Sequence, residues 1–201
     1  MRLKTNVQRI VDGIIDKIFL RFIPHSVTPN QVTVLRFILI PIMCYLFAIS
    51  MFDWALVVFV IAASTDFIDG AMARTRNQIT DLGKIIDPVA DKLLILTALV
   101  FIGFDYLIVK IFVGFIALEL VAIFLDAIFA LKIGKVIGAN VYGKIKMILQ
   151  SFSVGLFILG VAVNSQILIN ISEETLILAL VFAILSAIEQ VKTRAGNNKK
   201  I

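Results

Sequence analysis

Long apolar runs, separated by short polar breaks, set the pattern of this chain. Six of them follow one another, at about Val32–Met51, Trp54–Ala73, Ile85–Phe104, Tyr106–Leu131, Val141–Val163 and Thr175–Val191. Each approaches the roughly 20 residues that a helix needs to cross the hydrocarbon of a bilayer. The breaks fall at Phe52-Asp53, Thr75–Lys84, Asp105, Lys132–Asn140 and Asn164–Glu174. A different pattern precedes them. Between Lys4 and Ile23 the apolar positions Val7, Ile10, Val11, Ile14, Ile15, Ile18, Phe19 and Phe22 recur at three- and four-residue spacing, with Arg9, Asp12, Asp16, Lys17 and Arg21 between them. That periodicity predicts a helix with one greasy face, suited to lying in the membrane interface or packing on another protein face. Pro24 and Pro29 end it, and Thr28 and Asn30 offer cap chemistry for the helix that follows.

The expected fold is therefore an all-α integral membrane protein, with six transmembrane helices preceded by an N-terminal interfacial amphipathic helix. Residues 1–27 would form the amphipathic segment, 28–191 the six-helix transmembrane domain and 192–201 a basic cytoplasmic tail. Composition agrees. The 201 residues are 60% hydrophobic, against roughly 45–50% in soluble domains, and the mean hydropathy is +1.02. A single cysteine, Cys44, and a single histidine, His25, exclude a disulfide framework, a Cys/His zinc site and a Ser-His-Asp triad. Any general base must be a carboxylate, a lysine or a tyrosine. No cleavable signal and no nucleic-acid partner are expected.

Charge sets an orientation. Arg2, Lys4, Arg9, Lys17, Arg21 and Arg36 lie before or at the start of the first span. Arg74, Arg76, Lys84 and Lys92 flank the second break, and Lys132, Lys135, Lys144 and Lys146 flank the fourth. Lys192, Arg194, Lys199 and Lys200 follow the last span, leaving Lys110 as the exception. Asp53, Asp105, Glu173 and Glu174 mark the other side. An excess of Lys and Arg on one side predicts that both termini and the even-numbered breaks face the cytoplasm.

Four acids break the apolar pattern: Asp66, Asp69, Asp87 and Asp91. A carboxylate at mid-membrane costs about 2.5–3.5 kcal/mol on an insertion scale, so four of them need compensation. Asp66 and Asp69 are three apart, and Asp87 and Asp91 four apart, so each pair projects from one helical face. The short break at Thr75–Lys84 would make the two helices antiparallel neighbours whose carboxylates converge. An all-oxygen cluster suits Mg²⁺ or Mn²⁺. Basic side chains could neutralise it instead, but Arg74 and Lys92 are too few for four carboxylates. Gly70, Ala73 and Gly83 fit either tight helix packing or the close approach of a ligand.

These residues together, Asp66-x2-Asp69-Gly70-x2-Ala73-Arg74-x8-Gly83-x3-Asp87-x3-Asp91, resemble the complete signature of the CDP-alcohol phosphotransferase family. The resemblance implies an enzyme that displaces CMP from a CDP-linked donor with an alcohol, in a six-span membrane domain. It implies two divalent cations held by Asp66, Asp69, Asp87 and Asp91, with Asp91 also the general base. Gly70, Ala73 and Gly83 would make room for the cytidine, Arg74 would hold a donor phosphate, and Asn30 and Thr33 would join the donor-binding set. It also implies a homodimer in the inner or plasma membrane, with the active site facing the cytoplasm.

The run from Thr80 to Leu94, the run Pro29-Asn30-Gln31-Val32-Thr33-Val34-Leu35-Arg36, and Gly143-Lys144-Ile145-Lys146 followed by Gln150 resemble the phosphatidylglycerophosphate synthase branch. That branch implies CDP-diacylglycerol as donor and a small phosphorylated alcohol, glycerol 3-phosphate, as acceptor. Lys135, Lys144 and Lys146 would then offer it positive charge. Two positions depart from the branch: Leu118 stands where an arginine usually precedes Glu119, and Met147 replaces a threonine. Asp69 to Arg74 also resembles phosphatidylinositol phosphate synthases, which leaves inositol phosphate as an alternative acceptor, alongside phosphatidylglycerol. Asp126 is a further intramembrane acid without an assigned partner. An ion-coupled transporter is the rival class, because intramembrane carboxylates often line ion paths. Such proteins show broken helices in two related halves, whereas these acids are confined to one helix pair.

Overall fold

The computed structural model describes residues 20–24, 27–76, 78, 80, 83–133 and 141–198, and the side chains of these except at 22, 67, 84, 85, 125–133 and 190–198. Among the described residues, six long helices follow a short 3-10 turn at Leu20–Phe22: α1 Pro29–Ala48, α2 Phe52–Thr75, α3 Gly83–Gly103, α4 Leu107–Ile133, α5 Val141–Ala162 and α6 Gln166–Asn198. Among the described residues there is no strand. Five of the helices are long and apolar enough to cross a membrane. The sixth, α3, is interrupted by Asp87, Asp91 and Lys92 in its first turns, the residues on which the candidate chemistry rests. Most of the amphipathic segment, along with Lys135, lies outside the described residues, as do the side chains of Asp126 and the basic tail.

Local chemistry explains the helix ends. Thr28 donates its backbone N–H to Gln31 Oε1 at 2.9 Å, and Pro29 opens α1 at a position where no N–H is needed. The two tightest connections turn through left-handed residues, Ser50 (φ 58°) and Asn164 (φ 53°). The last break is shorter than the sequence pattern suggests. It ends before Gln166, so Glu173 and Glu174 are helical. The hydroxyl of Ser153 on α5 donates to the carbonyl of Ser172 at 2.5 Å, and a Cβ on Gly160 would stand 3.1 Å from the backbone nitrogen of Ile169. These contacts hold the start of α6 closely against α5, which offsets the cost of carrying polar residues into the helix.

The core runs along the apolar half of the bundle, through Met43, Phe47, Phe59, Leu99, Phe112 and Phe157. Large apolar side chains also cover the outside, Leu107, Ile167 and Phe124 among them. A continuous apolar exterior is what lipid contact requires and water would oppose. The protein is an all-helical, membrane-integral one.

Helix order departs from expectation in one respect that matters. α1 packs extensively against both α2 and α3, which touch each other far less. The two acidic helices are not direct neighbours along most of their length. They meet through α1, whose buried positions Pro29, Thr33, Arg36, Met43 and Phe47 form one face with a polar end and an apolar end. At the polar end Arg76, just past α2, draws in the preceding segment. Its guanidinium donates to the carbonyls of Leu20, Ile23, Pro24 and Val27, the closest being Ile23 at 2.7 Å.

Candidate active site

The four aspartates gather at the polar end of this α1–α2–α3 unit. Their three- and four-residue spacings turn Asp66 and Asp69 on α2, and Asp87 and Asp91 on α3, toward the polar face of α1. Arg36 stands at the centre, fully buried. Its Nη1 pairs with Asp91, its Nη2 lies 2.9 Å from Asp69 Oδ2 and 3.7 Å from Asp66 Oδ1, and its Nε–H donates to Thr65 Oγ1 at 3.1 Å. Asp87 joins through Thr33, whose hydroxyl lies 2.7 Å from Asp87 Oδ1 and 3.3 Å from Asp69 Oδ2. A hydroxyl has one proton to give, and the shorter contact directs it to Asp87.

Among the described residues, no three acidic side chains stand close enough to share one cation directly, because the guanidinium lies between Asp69 and Asp91. The carboxylates nevertheless converge on a cationic centre rather than pointing apart. One guanidinium cannot neutralise four carboxylates. Arg74 stands against Gly70, its Nη1 3.1 Å from where a Cβ there would stand, and among the described residues Arg36 is the cation paired with these acids. The donor set is all oxygen and short of positive charge, and hard divalent ions fit it.

Gly70 therefore makes room for the side chain of Arg74 one turn further on. Gly83 is buried where the start of α3 meets the start of α1. A Cβ there would come within 3.0 Å of Asn30 Oδ1 and of Thr80 Oγ1. Thr80 donates to Asn30 Oδ1 at 3.1 Å and accepts the N–H of Gly83 at 3.0 Å. Asn30, Thr80 and Gly83 thus border the carboxylates, with Asp87 Oδ2 3.7 Å from the same Cβ position. Thr33, by contrast, is buried against the carboxylates themselves, and Ala73 is half-buried on α2.

A second ionic cluster adjoins the first. Lys92 follows Asp91 in sequence but turns toward α4 and α5. Its Nζ lies 2.7 Å from Glu119 Oε2 and 2.7 Å from Gln150 Oε1. Lys146 pairs with the other oxygen of Glu119. The direct partners of Lys92 are thus Glu119 and Gln150 rather than the aspartates. Of the three lysines expected to form one basic site, Lys146 is in this cluster and Lys144 is exposed on α5. Leu118 faces outward, 69% exposed, while Glu119 faces in.

Sequence reasoning did not place Arg36 or Glu119 in a site. A signal existed for Arg36: it lies three residues after Thr33, within a helix otherwise poor in charge, and a buried arginine in such a helix needs anionic partners.

Residues 26–188 match the family model described as CDP-alcohol phosphatidyltransferase. The chain belongs to that family. Among its relatives, the CDP-diacylglycerol–glycerol-3-phosphate 3-phosphatidyltransferase of Bacillus subtilis (strain 168) is 34% identical over 148 residues, 65% of this chain and 76% of that protein. The protein of the same name from Pseudomonas fluorescens is 47% identical over 76 residues, 36% of this chain and 38% of its own length. That from Salmonella choleraesuis (strain SC-B67) is 43% identical over 82 residues, 39% of this chain and 44% of its own. Both acidic helices and the cradle at Gly83 thus lie inside the region that this CDP-alcohol phosphatidyltransferase shares with its family.

Proposed function

We propose that the chain transfers a phosphatidyl group from CDP-diacylglycerol to glycerol 3-phosphate, forming phosphatidylglycerophosphate and releasing CMP. The observation that carries this reading is the convergence of Asp66, Asp69, Asp87 and Asp91, from two helices, on one cationic centre. The names of the relatives support the choice of donor and acceptor.

Two divalent cations, Mg²⁺ or Mn²⁺, held by the four aspartates would supply neutralising charge for the donor diphosphate. The chain's own residues do the rest. Arg74, half-buried beside Gly70, holds a donor phosphate by charge-assisted hydrogen bonds. Asn30 and Gly83 border the space for the cytidine, with Gly70 and Ala73 on the facing helix. Asp91, on the first turns of α3, takes the proton of the acceptor hydroxyl as its oxygen attacks the lipid-bearing phosphorus. The bond from that phosphorus to the CMP oxygen breaks, and CMP leaves. Lys146 attracts the acceptor phosphate, because two ammonium groups on the single carboxylate of Glu119 leave one positive charge in surplus. Lys144 and Lys135 extend that attraction toward water. The distribution of Lys and Arg supports a cytoplasmic site, and the family resemblance supports a homodimer.

The test is a reconstitution. Purified protein with CDP-diacylglycerol is offered glycerol 3-phosphate, inositol phosphate, serine or phosphatidylglycerol, and CMP and the lipid product are measured by mass spectrometry. Product with glycerol 3-phosphate alone is the expected result. Product with another acceptor would reassign the substrate, and cation flux in liposomes without CMP release would remove the enzymatic reading.

A further inference from the structure

The two acidic helices make little direct contact, yet their carboxylates must hold a defined separation if they are to share cations. Only two side chains among the described residues join them at the site, and both come from α1. Thr33 lies between Asp69 of α2 and Asp87 of α3. Arg36 bridges Asp69 of α2 and Asp91 of α3. They are three residues apart on one face and 1% and 0% exposed.

The contacts fall in a pattern. Thr33 and Arg36 engage Oδ2 of Asp69, Oδ1 of Asp87 and Oδ1 of Asp91. Among the described residues, the opposite oxygen of each carboxylate accepts no hydrogen bond. Resting on the reading that these aspartates hold divalent cations, we infer that Thr33 and Arg36 are positioning residues of the cation site. Each grips one carboxylate oxygen from the side of α1 and turns the other toward the ions.

Arg36 is built in rather than parked. Thr65 donates its own proton to the carbonyl of Ala62 at 2.6 Å, which leaves its oxygen to accept the Arg36 Nε–H. A relay of fixed polarity therefore aims the guanidinium, and its planar fork sets the spacing between Asp69 and Asp91 as a flexible ammonium could not. A buried guanidinium has no route to water that does not open the packing of α1 on its neighbours, so it stays beside the carboxylates when cations bind. Its charge opposes cation binding while its geometry favours it. Thr33 is neutral and isolates the geometric effect.

Partners that orient metal ligands typically contribute about 10–100-fold in metal affinity. Mn²⁺ binding to the metal-stripped full chain in nanodiscs, followed by electron paramagnetic resonance of the free ion, measures this directly. Thr33→Val is expected to weaken Mn²⁺ binding by about 10–100-fold, and Thr33→Ser to restore it. The Mn²⁺ concentration for half-maximal CMP release should rise in parallel, with kcat at saturating Mn²⁺ changed much less. Arg36→Gln is expected to weaken binding too. Tighter binding in that variant would make the guanidinium a competitor of the ions and overturn the inference. So would native-like affinity in Thr33→Val, which decides the matter if Arg36→Gln does not fold. A native chain that binds Mn²⁺ while Thr33→Val is unaffected sinks this inference alone. A native chain that binds no Mn²⁺ sinks the proposed function with it.

Discussion

Two buried ionic clusters meet at one point on α3, where Asp91 belongs to the first and Lys92 to the second. They differ in sign. Among the described residues, the first sets three carboxylates on Arg36 and a fourth, Asp87, on Thr33 beside it, and has negative charge to spare; the second sets Lys92 and Lys146 on Glu119 and has positive charge to spare. A purely structural ion pair would balance, because an uncompensated charge in a membrane interior is costly. Two imbalances of opposite sign, side by side, fit a reaction that brings divalent cations to one cluster and an anionic acceptor to the other. The helix geometry makes this possible: adjacent residues on α3 project about 100° apart, so Asp91 faces α1 while Lys92 faces α4 and α5.

Removing divalent cations is the most severe way to break the contrast. With EDTA present, CMP release is expected to stop, and Mg²⁺ or Mn²⁺ to restore it; turnover in metal-free buffer would contradict the surplus of negative charge as a cation site. Next in size is Asp91→Asn. It keeps the shape of the side chain but cannot take a proton, and the loss in kcat should be about 10²–10⁴-fold, with gel-filtration profile and helicity unchanged. Native turnover by that variant would return Asp91 to a purely ligating role.

The second cluster is broken from its centre. Glu119→Leu strands Lys92 and Lys146 without their carboxylate, at a cost of about 3–5 kcal/mol in stability, visible as a lowered Tm in detergent. Adding Lys92→Met to that variant should recover part of the loss, since it removes the buried charge left unpaired. If the double variant is no more stable than the single, the pair contributes little. The smallest expected effect comes from Lys146→Met. It should raise KM for the acceptor by roughly 10–100-fold, in line with about 1.5–3 kcal/mol for a hydrogen bond to a charged group. The KM for CDP-diacylglycerol should not change, and a rise in the donor KM instead would move Lys146 to the other substrate.

Much of this arrangement was legible from residue order. Hydrophobic runs placed six helices to within a few residues for five of them, because burial in lipid leaves little freedom over where an apolar segment starts and stops. The last helix was misjudged at its start. Ser172, Glu173 and Glu174 look like the end of a break with Thr175 opening the span, but Ser172 donates to Ile169 and Thr175 to Ile171, so these hydroxyls are satisfied within a helix already under way. The acidic pairs were legible for a similar reason: side chains three or four residues apart must share a face. Lys92 was not, since the sequence shows only that it follows Asp91, and both the aspartates and Glu119 are chemically acceptable partners.

By itself, then, the chain's sequence determined that it lives in lipid as helices and that two of those helices each present a pair of carboxylates. These are local properties, set by the length of apolar runs and by 3.6 residues per turn. Only the tertiary structure decided what the carboxylates face. It placed α1 between α2 and α3, so that Arg36 and Thr33 join acids 33 to 55 residues away, and it gave Lys92 to Glu119 and Gln150 rather than to Asp66 or Asp69. Periodicity specifies the direction of a side chain from its own helix axis. Which helix stands in that direction depends on how all six pack together.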